Sequence, residues 1–342
     1  MARKSVLLIH TGGTLGMGQP EHRRLDLEPA EHLQRMLERV PELGEIADCD
    51  LIAPWNLDSS DVGPSHWQQL ARAVVEQGGA GQPGGYAGIV VIHGTDTLAY
   101  AASALAFMLR NLDRPVIFTG SQRPLQAWRS DARANLAAAV EAATMDLPEV
   151  AIVFGDRVLR GCRATKVDAS DYLAFDTPNL APLGRIGVGI DLDRAVIRRP
   201  VGLFALAEEL DRQVLGVTVF PGFDPALLVG VADSGAGLRV KALIVRAFGA
   251  GNVPIVGEHS LLPAIERMSA RGVAVLIATQ CLRGSAQLDL YAAGRALRDA
   301  GAISAGDMSF EAAATKAMWA LAHPERSVAE WFATNLAGEV SL

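Results

Sequence analysis

The sequence has no apolar segment of membrane-spanning length, no concentrated basic run and no cysteines at metal-ligand spacing. Each absence removes a class of function. A bilayer-crossing helix needs about 20 consecutive apolar residues, so no membrane partner is expected. The formal net charge is −7, and without clustered Lys or Arg there is no electrostatic footprint for nucleic acid. Cys49, Cys162 and Cys281 are odd in number and far apart. That argues against a zinc site or a disulfide framework and suits a reducing cytoplasm. Met1-Ala2-Arg3-Lys4 is followed only by the short apolar stretch Val6 to Ile9, too brief for a secretory signal, so a cytoplasmic location is expected. Nucleotide fingerprints are missing too. Gly12-Gly13-Thr14-Leu15-Gly16 lacks G-x-G-x-x-G spacing, and no Gly-Lys-Ser/Thr occurs.

What is present is a chain of 342 residues, 50% hydrophobic, long enough for a large core and two domains. Strand-like segments at 5–10, 88–93, 115–119 and 150–155 alternate with helical periodicity near 30–39, 65–77, 98–111 and 131–145. A second alternation has strands near 214–219, 241–246 and 273–278, with helices near 224–231, 258–270 and 286–300. Such alternation implies βαβ crossovers. The expected fold is α/β: a larger N-terminal doubly wound, mostly parallel sheet domain over 1–192, a linker over 193–212, and a smaller C-terminal α/β domain over 213–342. Residues 158–190 are expected as irregular structure over the first sheet, and the glycine-rich segment 78–85 as a surface loop.

Three strand exits carry small polar residues. Val6 to His10 runs into Thr11-Gly12-Gly13-Thr14, Ile89 to Ile92 into His93-Gly94-Thr95-Asp96-Thr97, and the third strand ends in Thr119-Gly120-Ser121-Gln122. Ligands of open α/β sheets bind beyond the carboxyl ends of parallel strands, so these exits are expected to face one pocket. A plain turn at Thr14 and a helix cap at Thr95-Asp96 fit the local pattern equally well. The reactive reading needs a base or proton sink for a threonine hydroxyl, which Lys166 could supply if burial and a cationic or apolar setting keep it neutral, with Asp96 orienting it. Asp58-Ser59-Ser60-Asp61 reads either as capping chemistry or as donors and a carboxylate for a zwitterionic ligand.

Taken in order, Thr11-Gly12-Gly13-Thr14-Leu15-Gly16-Met17, His93-Gly94-Thr95-Asp96-Thr97, Thr119-Gly120-Ser121-Gln122, Arg163-Ala164-Thr165-Lys166, Phe248-Gly249-Ala250-Gly251-Asn252 and Thr279-Gln280-Cys281 resemble the bacterial-type L-asparaginases, closest to their cytoplasmic type I branch. The resemblance spans nearly the whole chain. It implies hydrolysis of L-asparagine to L-aspartate and ammonia without a metal or organic cofactor. By position, Thr14 would be the acyl-forming nucleophile, and Thr95, Lys166 and Asp96 the second threonine group. Ser59 and Asp96 would hold the α-carboxylate and α-ammonium. Ser60 and Gly94 would line the pocket, and Ser121 would contribute through its backbone.

One departure concerns the lid. The family usually places a tyrosine there, yet residues 15–40 contain none. Tyr291 is a candidate replacement, weighed against a buried structural tyrosine, and His22 is a weaker one. The type I branch also implies a regulatory asparagine site, for which Arg246 and Cys281 match by position, with Thr165 as a switch beside Lys166. Simple packing of Cys281 after a buried strand is the competing view. A homodimer or homotetramer follows from the resemblance. Two alternatives stand beside this reading: a relaxed glutaminase-asparaginase, and an amino-acid sensor with weak or lost turnover. The branch serving glutaminyl-tRNA formation carries an extra N-terminal domain, whereas this chain opens on its first strand, so that role is not expected.

Overall fold

The unbroken apolar runs become the interior strands of two sheets. The computed structural model describes residues 3–16, 38–233 and 240–341. The chain divides into two compact units, Met1–Glu208 and Glu209–Leu342. The helix expected near 30–39, the lid and His22 lie largely outside the described residues.

In the first unit the strands are β1 (Ser5–His10), β2 (Asp48–Ile52), β3 (Gly88–Ile92), β4 (Leu109–Arg110), β5 (Val116–Thr119), β6 (Val150–Phe154), β7 (Arg157–Arg160), β8 (Thr165–Lys166), β9 (Phe175–Asp176), β10 (Gly184–Ile186), β11 (Ile190–Leu192) and β12 (Ala205–Leu206). Eight of them form one sheet in the order β11-β10-β7-β6-β5-β3-β1-β2. The run β2-β1-β3-β5-β6 is parallel, and β7, β10 and β11 extend it antiparallel. β3, β5 and β6 are buried at every position, as strands covered by helices on both faces must be. The crossover helices are Pro64–Glu76, Leu98–Met108 and Ala132–Ala143.

The sheet is therefore the expected mostly parallel one, with one correction and one addition. Residues 158–190 are not irregular throughout, because β7 and β10 lie in them and pair edge to edge with the main sheet. Charged Arg157, Arg160 and Arg185 mask these short strands in the sequence. β2 is hidden for the same reason: Asp48 and Asp50 flank Cys49 on a partly exposed edge. Of the segment 193–212, Ala205–Leu206 pairs antiparallel with β4 inside the first unit.

The second unit holds a four-stranded parallel sheet, β13 (Val214–Thr218), β14 (Ala242–Ala247), β15 (Ala274–Thr279) and β16 (Ile303–Ser304), in that order. Helix Phe310–Ala322 shows no helical periodicity in the sequence because it is buried almost all round and has no polar stripe. Among the described residues no helix is long and apolar enough to cross a membrane.

Helix Phe310–Ala322 also buries a charge. Lys316 and Glu339 are both 0% exposed and paired. The Lys316 ammonium donates as well to Thr334 O at 2.7 Å and lies 5.3 Å from the Phe332 ring centroid. Glu339 accepts the Leu336 and Ala337 N–H groups at 3.0 and 2.7 Å. The pair thus holds the C-terminal segment to the helix. Breaking a buried pair strands the remaining charge, at a cost of about 3–5 kcal/mol. Lys316→Met should lower the urea midpoint of the second unit accordingly, read by tryptophan fluorescence. An unchanged midpoint would mean that the pair contributes nothing.

Candidate active site

β1 has β3 on one side and β2 on the other, so the chain leaves β1 at a switch point of the sheet. Crevices at such points, beyond the carboxyl ends of the strands, are where open α/β sheets take ligands. Here the exits are bound to one another. Thr11 N–H donates to Ile92 O at 3.0 Å, and His93 N–H to Thr119 O at 2.9 Å. A Cβ on Gly13, whose φ is +89°, would sit 2.5 Å from the Gly94 backbone, and a Cβ on Gly94 would sit 2.6 Å from Ser59 Oγ. Three segments therefore meet at a distance that only glycine allows. The three strand exits thus lie against one another.

Beside this junction Thr95, Asp96 and Lys166 meet. Lys166, on the short strand β8, donates from Nζ to Thr95 Oγ1 at 2.9 Å and to Asp96 Oδ1 at 2.6 Å. Thr95 is buried, the Lys166 side chain is 20% exposed, and that of Asp96 is 67% exposed. Thr95 in turn donates to Gln122 Oε1 at 3.3 Å, and Gln122 Nε2 donates to Asp171 O at 3.1 Å. Gln122 stands in the third exit, where the sequence assigns it no role. Its reach across to Thr95 depends on tertiary placement that a motif does not carry.

Thr14 opens the 3-10 turn Thr14–Gly16, is half-buried, and lies one residue from the Gly13–Gly94 approach. The following Leu15 carbonyl accepts Leu125 N–H at 3.4 Å, which ties this turn to the third exit. Ser59 is buried against Gly94. Ser60 is exposed, and its hydroxyl and N–H both donate to Asp58 Oδ1, at 2.6 and 2.8 Å. That is capping chemistry. Ser121 spends its hydroxyl on Arg123 O at 2.6 Å, which leaves its backbone for other contacts. Among the described residues no group of three His, Cys, Asp or Glu side chains could hold a metal ion.

In the second unit Arg246 lies 5.3 Å over the Phe310 ring. Cys281 is exposed rather than packed, and its N–H donates to Thr279 Oγ1 at 3.0 Å. Thr165 shares β8 with Lys166 in the first unit. Tyr291 is not buried: it is 52% exposed, at the N-terminus of helix Ala292–Asp299.

Two histidines, His10 and His93, lie buried beneath the turns. Burial penalises the imidazolium and holds both at a pKa of about 4, with the Gly94 carbonyl acting in the opposite direction at His93. Both are neutral at pH 7.

Similarity to known proteins follows the same map. A family described as Asparaginase, N-terminal matches residues 5–198, and one described as Glutaminase/Asparaginase C-terminal domain matches residues 213–332. L-asparaginase 1 of Escherichia coli K12 is 37% identical over 348 residues, covering 100% of this chain and 99% of that protein. The crystal structure of L-asparaginase I from Vibrio cholerae matches with a TM-score of 0.86 at 36% identity, with 100% of each chain covered. The thermostable L-asparaginase from Thermococcus kodakarensis matches with the same TM-score, 0.86, at 33% identity, with 99% of each chain covered.

The buried imidazoles give a stability prediction. Between pH 6.5 and about 4 the unfolded chain binds protons at these positions and the folded chain does not. The stabilisation is therefore complete above pH 6.5 and lost as the pH falls, by about 3 kcal/mol per histidine at the lower end. The urea midpoint should drop between pH 7 and 4.5, and less steeply in the His10→Asn/His93→Asn double variant. Equal slopes would contradict it.

Proposed function

The chain belongs to the asparaginase family, and on that premise we propose that it hydrolyses the side-chain amide of L-asparagine to L-aspartate and ammonia through a Thr14 acyl-enzyme. The observation that carries this reading is the Lys166 ammonium held at once by Thr95 Oγ1 and Asp96 Oδ1. A binding site needs no such relay.

Thr14 Oγ attacks the amide carbon, forming a C–O bond while the carbonyl electrons move onto oxygen and the Thr14 hydroxyl proton passes to Thr95 Oγ1, which hands its own proton on. Collapse of that oxyanion breaks the C–N bond, and ammonia leaves with a proton. A cation 2.9 Å from Thr95 Oγ1 lowers the cost of negative charge there, so Thr95 can give up its proton to the departing nitrogen. In deacylation water attacks the aspartyl ester, its proton returns through Thr95, and Thr14 is released. Ser59 holds the α-carboxylate, and Asp96, whose side chain is mostly exposed, holds the α-ammonium by a charge-assisted hydrogen bond. Ser60, Gly94 and the Ser121 backbone line the pocket.

The same reading places the protein in the cytoplasm as a homodimer or homotetramer. Its support is three cysteines that form no disulfide and exposed Phe220, Leu227, Val256 and Leu282 on the second unit. It also places a regulatory asparagine at Arg246 and Cys281, with Thr165 as switch; Arg246 Nε has no hydrogen-bond partner among the described residues and suits a carboxylate.

Ammonia release from purified protein tests the reaction. Thr14→Ala and Thr95→Val should each lower kcat at least about a thousandfold, with the fold intact by circular dichroism. Tight asparagine binding without ammonia would instead identify an amino-acid sensor. Comparable kcat/KM for glutamine would identify a relaxed amidohydrolase, since one methylene is worth only about 1–3 kcal/mol. Velocity should be sigmoidal in asparagine and become less so in Arg246→Ala. Hyperbolic velocity at all concentrations would remove the regulatory site.

A further inference from the structure

The two buried histidines take no part in the reaction as proposed, yet each ring folds onto its own turn. His10 is the last residue of β1 and is 0% exposed, and His93 follows β3 and is 1% exposed. Gly12 N–H donates to His10 Nδ1 at 3.2 Å. His93 Nδ1 lies 2.8 Å from Gly94 O, and facing a carbonyl it must donate. The two rings therefore need opposite tautomers: His10 with Nδ1 bare, His93 with Nδ1 protonated.

His10 bears on the nucleophile. Upstream, the turn is anchored at Thr11, whose N–H and hydroxyl both donate to Ile92 O at 3.0 Å and whose carbonyl accepts Leu57 N–H at 3.1 Å. Downstream, Gly16 N–H closes on Gly13 O at 3.3 Å. Between them Gly12 has φ +112°, and a Cβ there would sit 2.1 Å from Leu57 O. Only glycine fits, and its conformational freedom must be restrained from elsewhere. The restraint on its N–H is the imidazole. A buried amide with no acceptor is unfavourable, so the turn would have to shift to find one.

We infer that His10 is a positioning residue for the nucleophile: its neutral ring, with Nδ1 unprotonated, holds Gly12 and through it the direction in which Thr14 is presented. The kinetic consequence rests on the asparaginase reading; the hydrogen bond and tautomer do not.

The test compares the wild-type protein with His10→Asn, whose Oδ1 takes the place of Nδ1 as acceptor, and His10→Leu, which has none. Histidine 15N spectra of the wild type should show the Nε2–H tautomer for His10 and the Nδ1–H tautomer for His93. Gly12 amide exchange should stay slow in His10→Asn and quicken at least about tenfold in His10→Leu. Small displacements of reacting groups cost large factors, so kcat should fall at least about tenfold in His10→Leu, with KM within about threefold, and recover in His10→Asn. An Nδ1–H tautomer at His10 would overturn the inference. So would wild-type exchange and kcat in a folded His10→Leu, or no recovery in His10→Asn. Should His10→Leu fail to fold, the wild-type tautomer and His10→Asn decide the matter. Should the wild type release no ammonia, tautomer and exchange still decide it, and only the asparaginase reading falls.

Discussion

Everything at the site depends on two strand exits being allowed to touch. Gly13 and Gly94 approach so closely that a single methyl on either would collide with the other turn or with Ser59. That approach is set by the sheet: Ile9 pairs with Val91 and His10 with Ile92 in parallel register, so both chains leave at the same height. Side chains on separate loops would have to be held by flexible contacts. Here the turns carrying Thr14 and Thr95 leave strands aligned by the ladder and pack together at Gly13, Gly94 and Ser59, which limits the motion of the groups they carry.

The remaining part arrives from further along the chain. Lys166 reaches Thr95 and Asp96 from β8, a two-residue strand paired with β9. Gln122 and Asp171 link the third exit to the segment following Lys166, and Asp131 fixes that exit by accepting the N–H groups of Gln122 and Arg123. The polar groups around Thr95 thus form a satisfied network rather than a set of isolated contacts, and such networks hold a single arrangement.

Much of this is legible in the residues, for definite reasons. β1, β3, β5 and β6 are buried on both faces, so they stand out as continuous apolar runs, and their exits carry the motifs that name Thr14, Thr95 and Asp96. β2, β7 and β10 are not legible because an edge position or an antiparallel pairing lets Asp48, Asp50, Arg157 and Arg185 sit in a strand. Lys166 is found only through its place in a motif, since a lysine in a loop is usually solvated. Gln122 and His10 lie in plain view without assignable roles, because side-chain direction is a tertiary property. Ser60 shows the converse: its motif suggests a pocket, and its hydroxyl is spent on Asp58.

In the proposed reaction Thr14, presented by the first exit, becomes covalently acylated while the Thr95–Lys166–Asp96 group moves protons. Rapid acid quench during turnover of L-asparagine, followed by peptide mass mapping, addresses it directly. The aspartyl ester should be found on Thr14 of the wild-type protein, and should form more slowly in Lys166→Met. An ester on Thr95, or steady turnover with Thr14 never modified, would contradict it.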